Sequence, residues 1–411
     1  MKILFYAHQF PPAKGGIPYS NYEIAKGLHN LGHEVHVIAC RNAASVRFLN
    51  GIEFPVYLLP KWPFAPMPCL NGLGLLNWIF LPVYFLTILN KIKQIGPDAV
   101  FVLDETSNCF WGIWAKFVKK PYVSYCSVPF SRYHAGKPKR ISVVKKFLSK
   151  RAIFSYLFKM SYTNARSVIC VSTSTKSEIV KMIPGIESRL VVIGRSIDDI
   201  FFKTPVKKTQ DRKNRARLKR KFTLLSVSRL AKDKGIDDVI RSIATFNKAN
   251  LKEFKYIIVG EGDAEASLKE LVKFYKLEPI IHFAGGVSHD QLIPYYDACD
   301  LFILPSRRGI SESFGRVFVE AAARYKPSIA VNDGGMVDII EDGINGFLVS
   351  SGDISTIKQK IMYLIENTEA KIQMGVNARA KAENSFTSRK ISEKIDRQIA
   401  RSINRVRVRI A

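Results

Sequence analysis

Short apolar runs alternate with helix-like stretches from one end of this chain to the other. In the first half they are ILFYA (3–7), EVHVIAC (34–40), FPVYLL (54–59), AVFVLD (99–104), YVSYC (122–126), SVICV (167–171) and LVVI (190–193). The second half repeats the plan with FTLLSVS (222–228), YIIVG (256–260), IIHFAG (280–285), LFILP (301–305), SIAVN (328–332) and GFLVS (346–350). A strand covered on both faces reads as an unbroken apolar run, and parallel strands need helical crossovers between them. The pattern therefore predicts α/β architecture: two Rossmann-like, doubly wound domains facing a cleft at their strand carboxyl ends. A length of 411 residues suits two cores. The expected divisions are a first domain over 1–202, a basic linker or loop over 203–221, a second domain over 222–386, and a C-terminal amphipathic helix with a basic tail over 387–411. In that last segment Ile391, Ile395, Ile399 and Ile403 recur every four residues among charges.

Composition excludes other classes. A hydrophobic fraction of 47% with 24% charged residues is that of a folded globular chain, neither disordered nor fibrous. The six cysteines include no C-x-x-C pair, so reduced thiols in a cytoplasmic protein are expected and a zinc site is not. The opening MKILFYAHQF lacks the features of a secretory signal and reads as a first strand. The net charge of +28 is concentrated in three blocks: +14 over 106–177, which holds no acid, +9 over 203–221 and +6 over 389–409. Such blocks point to a polyanionic surface as partner, either nucleic acid or an acidic membrane leaflet. The uncharged stretch 72–89 has the length of a membrane span, but Pro82 and Asn77 interrupt it and it joins two strands of one sheet. It is read as a crossover helix, buried or partly dipped into a membrane.

Three places carry candidate chemistry. Gly15 and Gly16 lie between the first strand and the first helix, where backbone N–H groups and a helix N-terminus can approach an anion, or where the chain is merely a flexible loop. Arg229 and Lys234 leave the first strand of the second domain in SRLAKDKG, a spacing that suits a diphosphate or two solvated cations. In PSRRGISESFGRVFVEAAARYKP, Glu312 precedes a helix opened by Phe314, Gly315 and Arg316, and Glu320 lies inside it. Paired carboxylates accept bonds from vicinal hydroxyls, and the helix start offers donors to a phosphate. Ordinary solvated glutamates on an amphipathic helix have the same spacing.

These residues, together with FPPAKGG, VGEGDAEASLKEL, IIHFAGGVSHDQLIPYYDACDLFILPS and NDGGMVDIIEDGINGFLV, make the chain resemble glycosyltransferase family 4, a retaining group of the GT-B fold marked by an E-x7-E element. The resemblance runs over nearly the whole length and is clearest in the second half. It implies a C-terminal helix that returns to the first domain and a retaining hexosyltransferase using a nucleoside-diphosphate sugar, with no cofactor and no metal. Gly15 and Gly16 would then approach the donor phosphate, Arg229 and Lys234 hold the diphosphate as it departs, and Glu320 bond the ribose. Glu312 would contact the transferred sugar, with Phe314, Gly315 and Arg316 lining sugar and phosphate. With Arg229 and Lys234, Glu312 completes the catalytic set.

The chain departs from the family pattern in places. Cys126-Ser127 stand where many members have a histidine, with His134 displaced from that position, and Tyr325 replaces a glycine before Lys326-Pro327. Arg307-Arg308-Gly309 are extra residues before Glu312, expected to shape the sugar pocket. The expected acceptor is a glycan or lipid-linked species of cell-surface polysaccharide or lipopolysaccharide synthesis. The basic blocks then imply a peripheral location on the cytoplasmic face of the inner membrane rather than nucleic-acid binding. A GT-B-shaped nucleotide-sugar epimerase and a basic nucleic-acid-binding protein are the alternatives.

Overall fold

The computed structural model describes residues 1–11, 16–40, 49, 51–59, 81–128, 150–203, 221–307 and 312–410. Gly15, His134, the basic segment over 204–220, Arg308-Gly309 and the 72–80 part of the uncharged stretch lie outside the described residues.

The first unit comprises Met1–Ser196 and Ser388–Ala411. Its strands are β1 (Lys2–Ala7), β2 (Glu34–Cys40), β3 (Val56–Leu59), β4 (Ala99–Leu103), β5 (Tyr122–Cys126), β6 (Ser167–Cys170) and β7 (Leu190–Val192). Its helices are α1 (Gly16–Asn30), α2 (Leu81–Ile95), α3 (Glu105–Val118), α4 (Lys150–Asn164) and α5 (Thr173–Met182). The sheet is parallel throughout, in the order β3-β2-β1-β4-β5-β6-β7. Side chains alternate across it. Leu4, Tyr6, Val100 and Val102 join the core formed with α2, α3, α4 and α5, while Phe5, Phe101 and Tyr125 stack edge to face on the opposite side.

The second unit, Ile197–Thr387, holds β8 (Phe222–Val227), β9 (Phe254–Val259), β10 (Ile281–Gly285), β11 (Leu301–Leu304), β12 (Ser328–Val331) and β13 (Gly346–Val349). Its helices are α6 (Ile236–Ala244), α7 (Lys248–Lys252), α8 (Glu265–Phe274), α9 (Leu292–Ala298), α10 (Arg316–Ala323), α11 (Met336–Ile339), α12 (Ile354–Glu366) and α13 (Thr368–Ser385). Its parallel sheet runs β10-β9-β8-β11-β12-β13. Each sheet thus reverses strand order once, between β1 and β4 and between β8 and β11, and the crevice beyond the carboxyl ends of such a pair is where open α/β sheets bind ligands.

All thirteen apolar runs are strands, with ends shifted by one or two residues. The division between units falls after Ser196, not after residue 202. The reason is polar: Arg324 donates to the carbonyls of Phe201 and Lys203, and Arg379 to that of Phe202, which fixes this segment in the second unit. The C-terminal helix α14 (Ser388–Ile410) belongs to the first unit, where it lies against α1 and β5. Ile391, Ile395 and Ile399 are buried and Ile403 half-buried, as their spacing requires. Tyr325, in the family's glycine position, has φ 60°, the left-handed conformation that explains why glycine suits that site.

Candidate functional site

The second unit's reversal point gathers three of the predicted side chains. Just beyond β8 the chain makes a short 3-10 turn, Lys232–Lys234, which ends in Gly235 at φ 68° before α6 begins. A side chain at Gly235 would run into the carbonyl of Pro305, so glycine is needed for the turn to lie against the end of β11. That approach brings Lys234 to Glu312: the ammonium stands 2.5 Å from Glu312 Oε1 and 3.5 Å from Asp233 Oδ2. Asp233 Oδ1 lies 4.0 Å from the guanidinium of Arg229, whose side chain is 67% exposed. Two cations and two carboxylates therefore alternate along one loop edge. A diphosphate entering here replaces carboxylate contacts with charge-assisted bonds of the same kind.

Arg307 is engaged by the segment over 232–238. Its backbone N–H donates to Asp233 O at 2.8 Å. Its guanidinium bonds the carbonyl of Lys232 and pairs with Asp237 at 2.6 Å and Asp238 at 3.2 Å in the first turn of α6. It ties the loop after β11 to the turn that carries Lys234. Sequence reading places this residue near the site but misses its partners, since Asp237 and Asp238 lie about 70 positions away.

The residues after Glu312 build a helix start. Gly315, at φ 83°, is the N-cap of α10, and a Cβ there would stand 2.8 Å from the Phe318 ring. Phe314 is buried against Phe386, with ring centroids 5.5 Å apart. Gly335 donates its N–H to Glu312 O at 3.0 Å and packs too closely on Ser313 and Phe314 to admit a side chain. Phe318 already donates its N–H to Gly315 O at 3.0 Å, and the start of α10 turns the positive end of its helix dipole toward the Glu312 loop, an arrangement that favours an anion. Glu320 lies one turn further in, only 3% exposed, and its Oε2 accepts a bond from the Tyr296 hydroxyl at 2.9 Å. Tyr296 is itself buried between Phe201 and Phe302, and burial together with the Glu320 charge pushes its hydroxyl well above the ordinary range. The sequence gives no sign of this partner. It shows two adjacent tyrosines but not which one turns inward.

Gly16 opens α1 in the first unit. At the first unit's own reversal point, sequence reasoning misses Asp104. It is buried and caps α3, accepting from the N–H groups of Ser107 and Gln9 at 2.9 Å each. Burial nevertheless pushes its carboxyl up to about 8. His8, buried after β1, is pushed down to about 4 by the same desolvation. Cys126, in the position of the family's histidine, is fully buried, and its thiol is held well above its usual range by burial first and by nearby Cys170 and Glu105. It does not replace a titrating imidazole. Glu261 Oε1 accepts from the N–H of Gly286 at 3.1 Å, a loop contact. Among the described residues no three His, Cys, Asp or Glu side chains converge as a metal-ligand set.

Residues 14–200 match the sequence profile of glycosyltransferase family 4, and residues 207–381 that of glycosyl transferases group 1. The chain is 28% identical over 270 residues to the capsular polysaccharide biosynthesis glycosyltransferase CapM of Staphylococcus aureus, covering 64% of this chain and 69% of that one. It is 24% identical to the alpha-monoglucosyldiacylglycerol synthase of Acholeplasma laidlawii over 92% of both chains. Its fold is similar to that of HepE from Anabaena, solved in complex with UDP: TM-score 0.75, 22% identity, 97% of this chain and 100% of that one.

Proposed function

Because the chain belongs to glycosyltransferase family 4, we propose that it moves a hexose, with retention, from a nucleoside-diphosphate sugar to a glycan or lipid-linked acceptor of cell-surface polysaccharide or lipopolysaccharide synthesis. The observation that carries this reading is the Arg229–Asp233–Lys234–Glu312 cluster at the β8/β11 reversal point. Arg229 and Lys234 take the diphosphate, helped by the N-terminus of α10, and Glu320 takes the ribose hydroxyls. Glu312 contacts the sugar. The bond from the anomeric carbon to the phosphate oxygen breaks while the acceptor oxygen bonds that carbon from the same face. The acceptor's proton passes to the departing phosphate oxygen. The chain's contribution is electrostatic, with fixed cations and dipoles aimed where negative charge develops. HepE's complex with UDP and the glucosyl-lipid synthase among the relatives support a nucleotide-sugar donor and a glycan or lipid acceptor. The epimerase alternative is not favoured, since both matched profiles are those of glycosyltransferases.

The same reading includes adsorption to an anionic membrane surface. Across α2, α3 and α4 the single acid is Glu105, which is buried. Val83, Leu86, Phe117 and Tyr156 are exposed on those helices, with Phe117 packed on Phe85 at 5.4 Å. No helix among the described residues is long and apolar enough to cross a membrane.

A panel of nucleoside diphosphates and their sugars tests the reading. One of them is expected to raise Tm and to support transfer that persists in excess EDTA, because cations of the chain rather than a metal hold the diphosphate. Activity lost in EDTA and restored only by a divalent ion would show that the clamp is misread.

A further inference from the structure

The first unit contains a largely buried arginine that pairs with no carboxylate among the described residues. Arg195 follows β7 at the carboxyl edge of the sheet and is 8% exposed. Its Nε is enclosed without a hydrogen-bond partner. What it does meet is the ring of Tyr125 on β5, 6.0 Å from its centroid. The Tyr125 hydroxyl donates to Gly194 O at 3.0 Å, which fixes the residue before Arg195 to β5. An aromatic ring offsets only part of the cost of drawing a cation out of water. The second unit's buried arginines show a completed environment. Arg324 has Asp297 and two backbone carbonyls; Arg379 has Glu383 and two carbonyls. Arg195 has neither among the described residues. Ser127, just past β5, is likewise buried, with a hydroxyl that has no partner. Both residues stand at carboxyl ends of parallel strands, the edge at which such sheets bind ligands.

We propose that Arg195 is an anion-binding residue of the first unit that receives a phosphate group carried by the acceptor. The planar fork of a guanidinium presents paired donors to phosphate oxygens, and a bound phosphate supplies the counter-charge that the described residues do not. This inference rests on the transfer reading. The donor's diphosphate offers the same chemistry, so the test separates the two sources.

Inorganic phosphate is the probe, at constant ionic strength, on the full chain. In an R229Q/K234Q background, which lacks the second unit's clamp, phosphate is expected still to raise Tm. Adding R195Q is expected to weaken that response about tenfold in apparent affinity, which is about 1.4 kcal/mol, while R195K retains part of it. R195Q alone is expected to leave the ligand-free Tm equal or higher, because an uncompensated charge leaves the interior. A lower ligand-free Tm would make Arg195 structural, and an undiminished phosphate response would remove the site; either overturns the proposal. Nucleoside diphosphate binding is expected to survive R195Q. A loss matching that of R229Q/K234Q would assign Arg195 to the donor and overturn the acceptor assignment. Failure of every nucleoside diphosphate to bind the wild type would overturn the transfer reading and the acceptor assignment together, and the phosphate response would still decide whether Arg195 holds an anion.

Discussion

Lys234 stands between two carboxylates, Glu312 at 2.5 Å and Asp233 at 3.5 Å, and the proposed function assigns Glu312 and Glu320 different tasks. Glu312 is held at the loop edge, partly exposed, against the cation of Lys234. Glu320 is buried, with one oxygen already engaged by Tyr296. On the proposed reading, in which Glu312 contacts the transferred sugar, E312Q is expected to lower kcat by about tenfold to a hundredfold. E320A is expected to weaken nucleoside diphosphate binding about tenfold, ~1.4 kcal/mol, with kcat little changed, because ribose is held alike in ground and transition states. Steady-state kinetics and calorimetry of both variants check this; full activity in both would remove the site assignment. His8 sets a pH dependence of stability. Its folded value, about 4, lies below its unfolded 6.5, so between those values the unfolded chain binds a proton that the fold refuses. Stability is therefore lost as pH falls from about 6.5 to about 4. The ring is packed on Phe110, with the Cys40 sulfur at 3.2 Å. Urea unfolding at pH 7 and pH 5 should show the wild type losing about 2 kcal/mol more than H8Q over that interval.

At the scale of elements, α14 is a helix whose apolar stripe is matched to one unit alone. Ile391, Ile395 and Ile399 are buried at 1% exposure or less. Asp396 pairs with His33 at 3.0 Å, and Gln398 donates to Ser167 Oγ at 2.7 Å. The polar contacts set the register, and the isoleucines supply most of the stabilisation. I395A is expected to destabilise the chain by about 2–5 kcal/mol through the lost burial and the cavity left behind. Exchanging exposed Arg401 for glutamine is expected to change stability by less than about 0.5 kcal/mol. Chemical denaturation of the two variants compares them; equal effects would mean that the stripe does not hold the helix. The Lys232–Lys234 turn shows the opposite dependence. It has three residues and no core of its own, and it holds its shape through Arg307 and the close approach of Gly235 to Pro305.

The whole molecule carries its excess charge unevenly, and the block over 106–177 includes parts of helices that also expose apolar side chains. On the proposed membrane reading, the cations would supply an attraction to anionic lipid that salt screens beyond roughly 8 Å, and exposed Leu86, Phe117 and Tyr156 would add an anchor that salt does not weaken. Sedimentation with vesicles of graded anionic content is expected to show binding that rises with anionic lipid and falls with salt. Charge reversal at Lys116, Lys119 and Lys159 is expected to abolish the salt-sensitive part, and L86S/F117S to lower binding at every salt concentration. Equal binding to neutral and anionic vesicles would reject the electrostatic account, and no binding would point to a soluble acceptor.

The thirteen strands among the described residues and the C-terminal helix are legible in the amino-acid sequence alone, because burial leaves a periodic trace: buried parallel strands are apolar along their length, and a docked helix is apolar every fourth residue. The cationic pair, the two glutamates and the helix start between them are legible as residue types in order. Their arrangement is not. Asp233 sits within SRLAKDKG, yet only the fold shows it in contact with both Arg229 and Lys234. Arg307 reads as a pocket residue, and only the fold shows it gripping α6. Tyr296 reaches Glu320 across 24 positions, and Asp104 meets Gln9 across 95. The boundary after Ser196 is decided by two arginines that lie more than 120 residues further along. A sequence records hydrophobic period because each residue carries its own share of it. Which polar atom meets which, and which charge is left buried as Arg195 is, depends on the direction of side chains brought together from distant segments, and only the folded chain fixes that direction.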